Sequence, residues 1–228
     1  MQLLAIETAT LSGGVAIAAE EGIVAEYRLN VEMTHSERLL MMVDRVLKEA
    51  RVSLDKIDAI AVSIGPGSFT GLRIGLATAK GLCLGAEKPL IAVPTLAALA
   101  ARVPFAPVPV VPMLDAKKKE VYWGSFQFRD GRVERLSPDS VSSPEAMLRQ
   151  LTPPALFLGS GAILYKELIR QALGEHAQFA PMSLALPSAA SVAELGHEDL
   201  RRGAFCDPVL AVPLYLRRSE AEVRLETR

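Results

Sequence analysis

The hydrophobic pattern at the start of the chain is typical of three short strands followed by a helix. Apolar runs predict strands at Leu3–Glu7, Val15–Ala19 and Ile23–Leu29, the last two joined by a hairpin turn. A helix is predicted from Thr34 to about Ala50. Thr34 and Glu37 would form its capping box, in which each side chain satisfies a free backbone N–H at the helix start.

A glycine-rich turn follows the next apolar run. Asp58–Ile64 leads into Gly65-Pro66-Gly67, as expected for a buried parallel strand that ends in a tight turn. We call Gly65-Pro66-Gly67 the glycine loop. A second helix is predicted from about Thr70 to Leu84, then a strand at Leu90–Val93 and a short helix from Thr95.

The second part of the chain repeats this order of elements. Residues 103–109, VPFAPVP, contain three prolines and therefore suit an extended connector. Beyond it the predicted strands are Val110–Leu114, Glu120–Phe128, Val133–Leu136 and Leu156–Leu158, and predicted helices open at Ser143 and span Ala162–Leu173 and about Ser188–Arg202. Each half reads β-β-β-α-β-α, which resembles the α/β fold of the actin-like, sugar-kinase and Hsp70 ATPase superfamily (ribonuclease H-like). We therefore expect two domains, residues 1–103 and 104–228, and in that superfamily a nucleotide lies between them.

The composition argues against several classes of function. The 228 residues are 50% hydrophobic with a formal net charge of -1, which gives no reason to expect a nucleic-acid or membrane surface. The apolar window Leu90–Leu114 is broken by five prolines, so a membrane-spanning helix is not expected. Cys83 and Cys206 are interpreted as buried reduced thiols. Because MQLLAIETAT also lacks a basic signal-peptide start, we expect a cytoplasmic protein.

The glycine loop has two interpretations from the residues alone. It is not a Walker loop, because no Gly-Lys-Ser/Thr follows, and the dinucleotide fingerprint would need a glycine at Thr70. Free N–H groups at the start of the next helix favour an anion, so the loop could bind a phosphate. The residues alone favour the other interpretation, a sharp turn with a Ser/Thr cap.

The helices on either side of the glycine loop carry more apolar or small residues than one core requires. In the second helix Gly71, Gly75 and Ala79 form one ridge, with Leu72 and Leu76 beside it. Two glycines four positions apart suggest a close backbone approach, because each costs about 1 kcal/mol relative to alanine. In the first helix the apolar arc spans roughly 160°, wider than the ~100° that faces one core. It includes His35, Leu39, Met42 and Val46. These nine residues are predicted to contact a protein partner, and the alternative is that the second domain or the C-terminal tail covers them.

Several stretches resemble the TsaB (YeaZ) family of the bacterial tRNA threonylcarbamoyladenosine machinery, over nearly the whole chain. They are AIETAT, THSERLL, GPGSFTGLRIG, DAKKKEVYWGSF and PLYLRR. The resemblance implies that this subunit supports a catalytic sibling, TsaD, which has the same fold and transfers the threonylcarbamoyl group to N6 of the adenosine beside the anticodon. It also implies that the glycine loop and its helix chiefly build a dimer surface.

The resemblance further implies that catalytic groups of the sibling are missing here. The sibling places two metal-binding histidines where this chain has Thr95 and Leu99, so no metal and no cofactor are expected. Leu114-Asp115-Ala116-Lys117 lacks the glycines of a second phosphate loop. A vestigial nucleotide cleft would be formed by Glu7, Gly13, Gly65, Gly67, Asp115, Gly159 and Gly161.

These observations together predict a non-catalytic subunit. The expected partners are TsaD, the ATPase TsaE and, in isolation, a second copy of the chain, with tRNA bound only through the complex. The alternative is an independent ATPase or small-molecule kinase of the same fold. A metallopeptidase is a third reading, which the missing histidines argue against.

Overall fold

The computed structural model describes residues 1–30 and 35–217, without the side chains of residues 35–37. The predicted capping box of Thr34 and Glu37 therefore lies outside the described residues. The first sheet contains β1 (Leu3–Glu7), β2 (Ser12–Ala19), β3 (Gly22–Asn30), β4 (Ala59–Gly65) and β5 (Leu90–Pro94). Its strand order is β3-β2-β1-β4-β5, with β1 antiparallel to β2 and parallel to β4.

The second sheet repeats the topology of the first. It contains β6 (Val110–Lys117), β7 (Glu120–Arg129), β8 (Arg132–Ser142), β9 (Ala155–Leu158) and β10 (Ala177–Phe179). The order is β10-β9-β6-β7-β8, which is the order of the first sheet read from the other edge. The first strand of each sheet is antiparallel to the second and parallel to the fourth.

Two helices cover one face of the first sheet. They are α1 (His35–Ala50) and α2 (Phe69–Ala86), and their buried side chains join those of the strands in one hydrophobic core. Ser68 caps α2, because its hydroxyl accepts a hydrogen bond from the Gly71 N–H at 3.2 Å. The bounds predicted from the sequence for these two helices agree with the observed bounds to within two residues at each end.

The helices of the second sheet differ in detail from the prediction. They are α4 (Pro144–Leu148), α5 (Ser160–Leu164) and α6 (Lys166–Leu173). The single helix predicted at 162–173 is thus two helices that meet at Tyr165. The short strand β10 was not predicted, because its three residues carry too little pattern to recognise.

The remaining two helices cross the predicted domain boundary. α3 (Thr95–Ala100) buries Leu96 and Leu99 against the second sheet, although it follows the last strand of the first. α7 (Ala189–Arg202) packs Val192 and Ala193 against the first sheet, although it follows the second. The assignment of all of residues 104–228 to the second domain is therefore corrected. We call β1–β5 with α1, α2 and α7 the first lobe, and β6–β10 with α4–α6 the second lobe; α3 lies between them.

Two chain connections between the lobes lie side by side. Arg102, just after α3, donates hydrogen bonds from Nε to the Leu184 carbonyl at 3.1 Å and from its terminal nitrogen to the Ser183 carbonyl at 2.7 Å. The outgoing and returning connections are thereby tied together. Among the described residues, no helix combines the length and the apolar character needed to span a bilayer.

Candidate functional site

Glu7 ends β1 and is the buried carboxyl of the predicted cleft. It is 1% exposed, and its Oε1 accepts a hydrogen bond from the Ala9 N–H at 2.6 Å. No hydrogen-bond partner of Oε2 is found among the described residues. Burial raises the pKa of Glu7 from 4.5 to about 7, against the opposing effect of hydrogen bonds from the Ala9 N–H and Ser63. Glu7 is thus an acid whose charge changes near neutral pH.

Two backbone N–H groups in and beside the glycine loop form hydrogen bonds with other parts of the chain. The Gly65 N–H donates to the Thr95 hydroxyl at 3.1 Å, and the Ser68 N–H donates to the Ala9 carbonyl at 2.7 Å. Gly67 lies so close to that carbonyl that a β-carbon there would collide with it. These contacts favour the sharp-turn interpretation over a phosphate-binding loop, because the Gly65 and Ser68 N–H groups are bonded within the chain and are not available to an anion.

The C-terminal segment packs across the outside of the glycine loop. The Leu214 N–H donates to the Ile64 carbonyl at 2.7 Å, and the Leu214 carbonyl oxygen faces Gly65 where a side chain would be. Gly65 has a φ of 122°, a conformation that side-chain-bearing residues rarely adopt. Glycine is therefore required at 65 both by its backbone and by its neighbour.

Asp115 is held within its own hairpin turn. Its Oδ1 accepts from the Lys117 N–H at 2.8 Å, and its Oδ2 pairs with Lys117 Nζ at 2.8 Å. Lys117, Lys118 and Lys119 all have φ between 53° and 61°, and we call them the lysine turn. Left-handed backbone costs about 1–2 kcal/mol for each such residue, so contacts around the turn must offset this strain.

The remaining glycines of the predicted cleft have structural roles. Gly13 lies inside β2 opposite Leu29 and is not part of a loop. Its place in a nucleotide cleft stays a prediction. Gly159 has a φ of 103° and donates its N–H to the Ala185 carbonyl at 2.7 Å. A β-carbon at Gly161 would lie 3.0 Å from that of Met113, so both glycines allow α5 to approach β6 closely.

The positions of the expected sibling histidines are part of the core. Thr95 and Leu99 are fully buried, and the Thr95 hydroxyl is used by Gly65. Among the side chains that the structure describes, those of residues 1–30 and 38–217, no group of three or more His, Cys, Asp or Glu residues is placed to hold a metal ion. The absence of a bound metal stays a prediction.

The predicted partner surface is corrected for the eight residues whose side chains are described. Gly71 and Gly75 both pack against Thr8, whose hydroxyl donates to the Gly71 carbonyl at 2.8 Å. The close backbone approach is therefore real, but it is made by the end of β1. The other buried members of the set are Leu39, Met42, Val46, Leu72, Leu76 and Ala79. The side chain of His35 lies outside the described residues.

Part of the outward surface of α2 has no close neighbour among the described residues. Ala77, Gly81 and Gly85 follow one another at four-residue spacing and are exposed, and no described atom outside the local helix backbone lies within 4 Å of a β-carbon built at either glycine. Leu84 is 61% exposed beside them, and Met41 of α1 is 62% exposed. The described residues that sequence periodicity assigned to a partner surface are thus buried within the chain itself.

Two residues in the tail were missed as contributors to this region. Tyr215 stacks on Phe69 with ring centroids 5.0 Å apart, and its hydroxyl accepts from Arg73 Nε at 2.9 Å. Arg217 contacts the second lobe at Glu120 and Ala116. The motif PLYLRR was visible in the sequence, but nothing in its pattern indicates where a tail will pack.

A cavity of about 580 Å³ lies away from the predicted site. It is bounded by the β2–β3 turn, the connection after α3 and one side of α7. None of the predicted cleft or partner residues whose side chains are described lines it.

The residues predicted for the cleft thus include one buried acid, Glu7, and one carboxylate paired with a lysine, Asp115. The N–H groups of Gly65 and Gly159 are bonded within the chain.

The duplicated sheet order defines the class of protein: a two-lobed member of the actin-like ATPase fold, as predicted from the order of elements. Comparison with known proteins then identifies the family. A sequence model described as "TsaD: tRNA N6-adenosine threonylcarbamoyltransferase" matches residues 10–225.

Named relatives match over almost the full length. The chain is 33% identical to the tRNA threonylcarbamoyladenosine biosynthesis protein TsaB of Bacillus subtilis (strain 168), covering 98% of this chain and 97% of the relative. It is 32% identical to the protein of the same name from Escherichia coli (strain K12), over 99% and 98%. The solved structure "YeaZ from Pseudomonas aeruginosa" superposes with a TM-score of 0.79 at 31% identity, covering 94% of this chain and 100% of that one. The chain belongs to the TsaB (YeaZ) family, which confirms the resemblance in its motifs.

Proposed function

We propose that this chain is a non-catalytic subunit in the formation of tRNA threonylcarbamoyladenosine, acting as a partner of TsaD. Family membership supports the role in this pathway, because the full-length relatives carry the name of that biosynthesis. The observation that supports a non-catalytic role is the internally bonded glycine loop. Its Gly65 and Ser68 N–H groups are bonded to Thr95 and Ala9 and are not directed at a ligand.

The partner surface that we propose is the outward face of α2 with the adjoining part of α1. Ala77, Gly81 and Gly85 leave room for another helix to come near the low end of the usual 8–10 Å separation. Leu84 and Met41 add exposed apolar area of the kind that a partner would bury. In the absence of TsaD, a second copy of the chain would occupy the same face, and TsaE and tRNA would join through the complex.

Reconstitution tests the proposed role. Purified TsaD and TsaE, with the threonylcarbamoyl adenylate and substrate tRNA, should modify tRNA efficiently only when this chain is added. The chain alone should neither transfer the group nor hydrolyse ATP. Full modification without the chain would contradict the subunit role, and ATP turnover by the isolated chain would favour the independent ATPase or kinase.

A matched pair of substitutions tests the proposed surface. Ala77→Leu enlarges an exposed residue of α2, whereas Ala172→Leu enlarges an exposed residue of α6 on the second lobe. Ala77→Leu should lower TsaD affinity about tenfold, equivalent to about 1.4 kcal/mol, with unchanged thermal stability. Ala172→Leu should change neither. Equal TsaD affinity for both variants in a binding titration would rule out this face of α2.

A further inference from the structure

The C-terminal segment makes a third crossing between the lobes, at a different place from the other two. The connections near Arg102 and Ser183 lie side by side, so by themselves they form a hinge. The third crossing starts at Cys206, whose N–H donates to the Leu90 carbonyl of β5 at 2.9 Å. From there the chain runs back along α2 toward the glycine loop.

Contacts at several points attach this segment to the first lobe. Lys80 Nζ donates to the Val209 carbonyl at 3.0 Å, and Ala211 packs against the core beneath α1 and α2. At the glycine loop, Leu214 is hydrogen bonded to Ile64, and Tyr215 stacks on Phe69. The segment therefore contacts α2 from Lys80 back to its first residue, Phe69.

Its last described residue binds the second lobe. Arg217 donates from one terminal nitrogen to Glu120 Oε2 at 2.8 Å and from the other to the Ala116 carbonyl at 2.9 Å. Ala116 and Glu120 flank the lysine turn on its two sides. A planar guanidinium suits this bidentate contact, because two of its N–H groups point in fixed directions at once. Arg217 thus holds the ends of a turn whose three residues all have left-handed backbone.

We propose that residues 207–217 are an internal clasp that fixes the angle between the two lobes by binding the glycine loop of one and the lysine turn of the other. Two adjacent connections permit rotation about their common line, and a third attachment away from that line opposes it. Within the clasp, Tyr215 contacts the first lobe beside the glycine loop and Arg217 contacts the second lobe at the lysine turn. These two residues are two positions apart in the chain. Loss of either contact should therefore speed amide hydrogen exchange in the opposite lobe as well.

Amide hydrogen exchange on the full-length chain tests the clasp. Arg217→Ala should speed exchange at least fivefold in the lysine turn, and also in the glycine loop, which Arg217 does not touch. Tyr215→Ala should speed exchange beside Phe69, which Tyr215 contacts, and also in the lysine turn, which belongs to the other lobe. Arg170→Ala is the control, since Arg170 pairs with Glu167 on its own helix at 3.4 Å. It should leave both loops unchanged.

The effect across the lobes decides the outcome. Faster exchange confined to the lobe that each residue contacts would show two local contacts and overturn the clasp, as would no change in either variant. Should an alanine variant fail to fold, Arg217→Lys and Tyr215→Phe replace it. Lysine cannot make the bidentate contact, and phenylalanine loses only the hydrogen bond from Arg73. Each should still speed exchange in the opposite lobe about twofold, and the absence of that effect would equally refute the proposal.

Discussion

Replacing Glu7 by glutamine should remove a pH-dependent loss of stability that the buried carboxyl imposes on the fold. Burial raises the pKa of Glu7 from 4.5 to about 7 in the folded chain. Below pH 4.5 the group is protonated in both the folded and the unfolded states. Between pH 4.5 and 7 the unfolded chain releases the proton first, so the free energy of unfolding falls as the pH rises. Above pH 7 both states are ionised and the loss is complete.

The size of this effect follows from the same pKa values. A rise from 4.5 to about 7 corresponds to about 3 kcal/mol of lost stability. Glutamine keeps the acceptor for the Ala9 N–H but places an amide NH₂ where Oε2 has no partner among the described residues. That unsatisfied group costs about 1–3 kcal/mol at every pH. The absolute stability of Glu7→Gln is therefore less informative than its dependence on pH.

Urea unfolding of both proteins at intervals from pH 4.5 to 8 measures this dependence. Relative to Glu7→Gln, the wild type should lose about 3 kcal/mol across this range, with most of the loss complete by pH 7. Glu175→Gln, which replaces an exposed carboxylate, controls for the removal of one charge. A difference between wild type and Glu7→Gln that stays constant from pH 4.5 to 8 would refute the assignment of a neutral buried acid.

Two further predictions concern the core of the first lobe and the missing metal ligands. Gly75→Leu should lower the melting temperature of the monomer by about 5 °C or more, because a side chain there collides with the Thr8 hydroxyl and overpacking costs about 1–3 kcal/mol. A melting temperature equal to the wild type, with weakened TsaD binding, would instead return Gly75 to the partner surface. Elemental analysis of protein purified without chelators should find no stoichiometric zinc or iron, because Thr95 and Leu99 replace the sibling's ligands. One tightly bound metal ion per chain would contradict this.

The sequence by itself determined most of the elements and their duplicated order. Strands and helices are recognised from the spacing of apolar residues within a short stretch, as in the apolar run Asp58–Ile64 or the helical spacing of α2. This spacing can be read without knowing the rest of the fold. The turn chemistry of the glycine loop is similarly local. Family motifs added the family, because GPGSFTGLRIG runs from the end of β4 into the first turns of α2.

The tertiary structure alone decided which face of each helix is buried and which lobe each late segment joins. Periodicity shows that Gly71 and Gly75 lie on one ridge, but it does not distinguish a partner helix from Thr8 of the same chain. α7 and the tail follow the second sheet in sequence, yet they pack on the first. Contacts of this kind join residues far apart in the chain, such as Arg217 with Glu120. They depend on shape and burial over the whole fold, which no short stretch of sequence encodes.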